Sequence, residues 1–249
     1  MNARDVGVIG SVAPDEIARR VAAVEWPAVE ADLEAQGAAV IKRLLTPVEC
    51  HELSSLYQRD DIFRGRVVMA RHGFGRGEYR YFDYPLPPLI CALRESLYAR
   101  LAPVANRWYD AMGMTARFPD RHIDFIDRCH AAGQQKPTPL LLQYGPGDYN
   151  CLHQDLYGEH VFPLQLVLLL SEPGRDFEGG EFVMTEQRPR MQSRPLVLSL
   201  HQGDAAVIAT SHRPVRGTRG VYRVKLKHGV SHLRAGQRHT AGIIFHDAA

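Results

Sequence analysis

The sequence predicts an α+β fold in which helices come first and an antiparallel β-sandwich or jelly roll follows. Two textures carry that expectation. Before about residue 135 apolar residues recur three and four apart between helix-type starts and stops. From about Lys136 onward, short apolar or alternating runs are separated by Gly, Pro and polar turns at near-regular spacing. No long linker divides the two, so one domain over 1–249 is expected, with 1–135 as mainly helical support and 136–249 as the β-rich core.

Taken in order, "APDEIARRVAAVEWPAVEADLEAQG" has an acidic first turn after Pro14, a break near Pro27 and a stop at Gly37. "AAVIKRLL" reads as a short strand. "TPVECHELSSLYQ" reads as a capped helix, with Thr46 as N-cap, Pro47 first in the helix and Glu49 third. Residues 60–85 mix glycine, arginine and aromatics, which predicts a hairpin or a mobile loop. "LPPLICALRESLYARLAPVANRWYDAMG" returns to helical spacing, and eight short runs from "PLLLQY" to "TAGIIFH" supply the strands.

Composition excludes several classes. With 45% apolar and 23% charged residues the chain is ordinary globular material. It lacks an apolar run of membrane-spanning length and an N-terminal secretory pattern, so a cytoplasmic protein without a membrane partner is expected. Cys50, Cys91, Cys129 and Cys151 form no CxxC pair, and reduced thiols are expected. A net charge of +2 is no strong signature of nucleic-acid binding. The excess of arginine over lysine fits either coding bias or planar recognition of phosphate and carboxylate.

Chemistry concentrates in "LQYGPGDYNCLHQD", Leu142 to Asp155. On a strand, residues two apart share a face with Cα atoms about 6.5 Å apart, so His153 and Asp155 can converge on one ion. Two histidines and a carboxylate make a facial triad with open coordination positions, which requires a second histidine downstream. "KHGVSHLRAGQRHTAGIIFH" offers His228, with Arg238 ten residues on and then Thr240; His232, His239 and His246 compete for the ligand role.

These motifs resemble the 2-oxoglutarate, Fe(II)-dependent dioxygenases. The likeness runs from about Pro139 to Asp247 and implies a double-stranded β-helix. It implies that His153, Asp155 and His228 hold Fe(II), that Arg238 and Thr240 hold the far carboxylate of 2-oxoglutarate, and that dioxygen is the third reactant. "YGPGDYNCLHQD" is similar to the AlkB-like "YxPGxxxxxHxD" arrangement, which gives Tyr144 a cosubstrate contact. Leu142 stands where that group carries Asn, no second arginine follows Arg238, and the ten-residue spacing is more similar to the prolyl-hydroxylase branch. With "VVMARHGFGRGEYRYF" included, the chain resembles a bacterial group labelled as acting on damaged nucleic acid.

The implied substrate is an alkylated base in DNA or RNA, single-stranded or flipped, oxidatively dealkylated. Arg66, Arg71, His72, Arg76 and Tyr79 are the candidate contacts from the glycine-rich stretch, with Arg213 and Arg216 from a connection that would frame the mouth. The rival readings are a hydroxylase of protein side chains or small metabolites, and a non-catalytic sensor of iron or 2-oxoglutarate. Cys151 is expected to be a small buried residue, Glu181 to serve a turn or to orient a ligand, and Gln165 to line the pocket or face solvent. The sequence sets no oligomeric state.

Overall fold

The computed structural model describes residues 14–218 and 220–249. The sequence readings that fall on residues 1–13 and Arg219 lie outside it. Helices α1 (Pro14–Ala22) and α2 (Trp26–Gln36) are followed by β1 (Ala38–Ile41) and α3 (Pro47–Ser55). The expected capping box closes α3: the Thr46 hydroxyl accepts from the Glu49 amide at 3.3 Å, and the Glu49 carboxylate accepts from the Thr46 amide at 2.7 Å.

Then come β2 (Phe63–Val68), β3 (Gly75–Arg76), β4 (Glu78–Phe82), α4 (Pro88–Ala111) and α5 (His122–Ala131). Helix α4 buries Ile90, Leu93, Leu97, Leu101, Val104 and Trp108, the three-and-four spacing of one helical face. No helix among the described residues is long and apolar enough to cross a membrane.

The remaining strands are β5 (Leu140–Tyr144), β6 (Tyr149–His153), β7 (Leu164–Leu169), β8 (Phe177–Gly179), β9 (Phe182–Gln187), β10 (Arg194–Leu198), β11 (Ala205–Ala209), β12 (His212–Gly217), β13 (Gly220–Val230), β14 (Leu233–Gly236) and β15 (Arg238–Ile244). They form a jelly roll. The major sheet runs β1-β11-β7-β15-β5-β4-β2, the minor sheet β10-β9-β13-β6-β3 with β12 on β13, and β14 pairs with β8.

Helix α4 packs along β15 and β12, and α2 along β1 and β11. The major sheet is therefore covered by helices on one side and by the minor sheet on the other. Double coverage explains why "LQLVLL" of β7, apolar at every position but Gln165, is buried throughout.

Residues 1–135 are less purely helical than expected. Strands β1, β2 and β4 extend the major sheet and β3 extends the minor one. The reason lies in 60–85, where Val67 and Val68 pair antiparallel with Tyr79 and Glu78. Glycines and arginines dilute the alternation there, although the period of two is present.

Candidate active site

Pairing register builds the site. Strand β13 lies antiparallel to β6 with His228 directly opposite His153, and their rings are 4.2 Å apart. Strand β6 ends at His153, so Asp155 sits just past the strand end rather than on it. Gln154 turns away and donates to the Ser211 and Leu226 carbonyls at 3.1 and 2.9 Å. Asp155 is thereby aimed back at both imidazoles: its Oδ1 is 3.6 Å from His153 Nε2 and its Oδ2 is 3.3 Å from His228 Nε2. One ligand atom from each residue falls within a 4.8 Å cluster.

Neighbouring groups fix the orientation of these three. His153 Nδ1 lies 2.8 Å from the Cys151 carbonyl, which assigns that nitrogen the proton and leaves Nε2 for a ligand. Tyr157 donates to Asp155 Oδ1 and Gln165 to Oδ2, each at 2.8 Å. Phe182 stacks at 5.9 Å on the His228 ring. Burial favours the neutral acid at Asp155, but hydrogen bonding and charge from His228, the charge of His153 and the Gln165 amide outweigh it; the carboxyl stays below its ordinary range. Burial and the neighbouring His228 charge lower the basicity of His153, which favours the neutral imidazole a metal needs.

The other half of the site is a face of the major sheet. The register sets Arg238 opposite Tyr144, Thr240 opposite Leu142, and Gly242 opposite Leu140 on one side of β15 and Val167 on the other. Tyr79 and Tyr81 continue that face from β4, opposite Leu142 and Leu140. These residues and the triad line one cavity of about 350 Å³. Arg238 is 1% exposed, and its Nε and Nη1 have no partner. Its guanidinium lies 5.6 Å from the Tyr144 ring centroid and 5.7 Å from that of Phe177. Burial pushes the guanidinium down to about 10 and the Tyr144 phenol up to about 12. At neutral pH this is a cation without a counter-ion facing a neutral phenol.

His228 is the histidine that completes the cluster. His232 is exposed and packs on Tyr149, with ring centroids 4.5 Å apart. His239 lies edge-on to Tyr57, and His246 is fully buried and accepts from the Phe162 amide at 3.2 Å.

Of the proposed substrate contacts, Tyr79 lines the cavity, as do Gly73 and Phe74 beside His72. Arg71, His72 and Arg76 are exposed at its rim. Arg66 points to the opposite face of the sheet, since it pairs with Arg80, which is out of phase with Tyr79 and Tyr81, and it bonds Glu78. Arg213 is 2% exposed, bonded to Glu186 at 2.5 Å and to the Glu34 and Ala35 carbonyls at 2.8 and 2.9 Å, so it ties α2 to the minor sheet. Arg216 sits at the tip of the β12–β13 hairpin, opposite Val221. Seven residues of strand separate Val221 from His228, about 23 Å. Neither Arg213 nor Arg216 frames the mouth.

Cys151 is exposed at the cavity rather than buried. Gln165 is buried and faces the site, so of the two readings left open by the sequence it is the pocket-lining one that holds. The Glu181 carboxylate accepts from the Ser231 hydroxyl, and the Glu181 amide donates to that hydroxyl oxygen at 2.9 Å, a turn-stabilising role. Sequence reasoning missed Tyr157, Asn150 and Phe182. Tyr157 lies past the end of β6, where no strand period places its side chain, so its bond to Asp155 is visible only in the structure. Asn150 donates to the Tyr144 hydroxyl at 3.4 Å, and only the facing of the two sheets reveals this contact.

The model of a family described as "Oxygenase, catalysing oxidative methylation of damaged DNA" matches residues 77–248, more than half of the chain. The chain belongs to this oxygenase family. An uncharacterised protein of Mycobacterium tuberculosis, in strains CDC 1551 and H37Rv, is 49% identical over 168 residues, 68% of this chain and 72% of that one. The oxygenase also shares its fold with a Pseudomonas putida prolyl-4-hydroxylase (14% identity, TM-score 0.51, covering 90% of this chain and 99% of that one). A Trichoplax adhaerens prolyl hydroxylase, solved with a hypoxia-inducible-factor peptide, aligns at 13% identity and TM-score 0.56 over 92% and 89% of the two chains. A 2OG-Fe(II) oxygenase-family protein of Burkholderia pseudomallei aligns at 17% and 0.51 over 91% and 93%. By family this is an oxygenase, and its fold is the one seen in these prolyl hydroxylases and in the 2OG-Fe(II) oxygenase-family protein.

Proposed function

We propose that this oxygenase oxidatively dealkylates damaged nucleobases, with Fe(II) held by His153, Asp155 and His228 and 2-oxoglutarate held by Arg238, Thr240 and Tyr144. The observation that carries the cofactor reading is the Arg238 guanidinium, buried, unpartnered and lining the same cavity as the triad. A buried cation is stable only with a counter-charge, and a planar fork suits a carboxylate. Two imidazoles and one carboxylate suit a divalent iron that keeps open positions.

Iron and 2-oxoglutarate together supply the oxidising power to hydroxylate a substrate carbon with dioxygen, with succinate and carbon dioxide as co-products. The residues of this chain place and isolate the reaction. Gln165 and Tyr157 hold the two oxygens of Asp155, and Leu142, Val167 and Ile244 keep the floor apolar. Tyr79 and Tyr81 offer ring faces to an incoming base. On an N-methyl group, hydroxylation yields a hemiaminal that releases formaldehyde and the free base, so oxidation of a methylated base removes its methyl.

The family description supports damaged nucleic acid over a peptide or a metabolite. Succinate and formaldehyde are to be measured with Fe(II), 2-oxoglutarate and panels of N-methylated oligonucleotides, proline-containing peptides and small metabolites. Equimolar formaldehyde and succinate from the oligonucleotides is expected. Turnover confined to peptides or metabolites contradicts the substrate assignment, and no succinate from any panel favours the sensor.

A further inference from the structure

Resting on that proposed reaction, a second feature defines the form of nucleic acid. The turn between β2 and β4 stands on the rim of the cavity. His72 and Phe74 stack there with ring centroids 5.3 Å apart and planes 25° apart, and Phe74 remains 48% exposed while lining the cavity. An aromatic pair left half in water at the mouth of a catalytic cavity has no packing role that requires it.

The turn is rigid. The His72 and Phe74 amides donate to the Met69 carbonyl at 3.0 and 3.2 Å, the Met69 amide to Gly77 at 3.0 Å, and the Cys151 amide to Phe74 at 2.9 Å. Gly75 adopts φ +124°, and a Cβ there would lie 2.4 Å from the Tyr149 carbonyl. Gly77, at φ +112°, would place a Cβ 2.9 Å from the Tyr144 ring. The glycines thus seat the turn directly on β6 and on the proposed cosubstrate tyrosine. These contacts give the ring pair a defined seat beside the cavity.

Charge on the turn is divided. Arg64, Arg66 and Arg80 are engaged, by the Pro137 carbonyl at 2.8 Å, by Glu78, and by Asp60 at 2.6 Å. Arg71 and Arg76, flanking the ring pair, are exposed and make no ion pair among the described residues.

We propose that the His72–Phe74 pair is a stacking shelf for the base next to the target in single-stranded nucleic acid, with Arg71 and Arg76 on the flanking phosphates. The target base enters the cavity, and its neighbour, having lost that stacking partner, stacks on Phe74. Two free arginines make a small electrostatic footprint. It suits a short single strand better than a duplex, whose tight binders neutralise many phosphates.

The test is binding of fluorescent single-stranded and duplex oligonucleotides carrying one N-methylated base to the iron- and cosubstrate-loaded protein without oxygen. Single strands are expected to bind more tightly, with log K falling against log salt with a slope of about −1.4 and of about −0.7 in Arg71→Ala. Phe74→Ala is expected to weaken single-strand binding about tenfold, and an abasic site beside the target to do the same and to remove the variant's effect. Phe74→Trp should restore binding. Because Phe74 is half exposed, thermal melting of both variants should match the parent, which separates the shelf from a fold defect. Equal binding of duplex and single strand, or an unaltered Phe74→Ala, overturns the shelf while leaving base dealkylation standing. Absence of all oligonucleotide binding overturns the nucleic-acid reading itself, and the shelf with it.

Discussion

At the scale of residues, the site works by pairing each reactive group with one that holds it. Asp155 is gripped at both oxygens, by Tyr157 and by Gln165. Groups that orient a metal ligand are worth about 10- to 100-fold in metal affinity. Gln165→Leu and Tyr157→Phe are each expected to weaken Fe(II) or Co(II) binding by that order, read by anaerobic titration, with the fold intact by circular dichroism. Unchanged affinity in both would remove the grip from the account. Arg238→Lys keeps the charge but loses the planar fork. Its dissociation constant for 2-oxoglutarate should rise about tenfold or more while metal affinity holds, and a value equal to the parent's would assign the carboxylate elsewhere.

Elements set where these residues meet, and here the sequence was legible in unequal parts. The convergence of His153, Asp155, His228 and Arg238 on one cavity was readable because the proposed binding of one ion and one carboxylate constrains their types and spacings. Thr46 and Glu49 were readable because a capping box is local. Asn150 beside Tyr144 was not, since it depends on how two sheets face each other, and Arg213 misled because a buried ion pair and an exposed arginine look alike in one dimension. The same limit hid the tie between helix α4 and the end of β15. Arg94 and Asp247 meet at 2.7 Å with side chains 3% and 0% exposed, joined by Tyr84 and His130, each 2.8 Å from the other Asp247 oxygen.

Burial opposes ionisation of Asp247, but Arg94 and the hydrogen bonds from His130 and Tyr84 prevail and hold its carboxyl below the ordinary value of 3.8. A folded value lower than the unfolded one stabilises the protein above that ordinary value, and the contribution disappears as pH falls through the folded one. The melting temperature should therefore drop below about pH 4. Asp247→Ala should cost about 3–5 kcal/mol at neutral pH, since Arg94 is left buried without its partner, and its acid loss should be shallower than the parent's. Parallel acid limbs would show that the tie does not titrate.

For the whole molecule, the cavity between two sheets leaves a cluster of donors and a guanidinium that the chain does not satisfy by itself. A ligand that binds only the folded state adds about 2.7 kcal/mol when present at 100 times its dissociation constant. Fe(II) and 2-oxoglutarate together should raise the melting temperature by several degrees, chelator should reverse the shift, and Asp155→Ala should abolish it. The jelly roll and its helical cover were legible from the change of texture near Lys136. The contribution of residues 1–135 to both sheets was not, because glycine and arginine dilute the strand period in 60–85.

The most direct test of the central claim is anaerobic absorption titration of the protein with Fe(II) and 2-oxoglutarate. A visible charge-transfer band is expected that appears only when both are present, saturates at one iron per chain, and is lost in His228→Ala but kept in His232→Ala. A folded protein that gives no such band, or one whose band survives in His228→Ala, contradicts that claim.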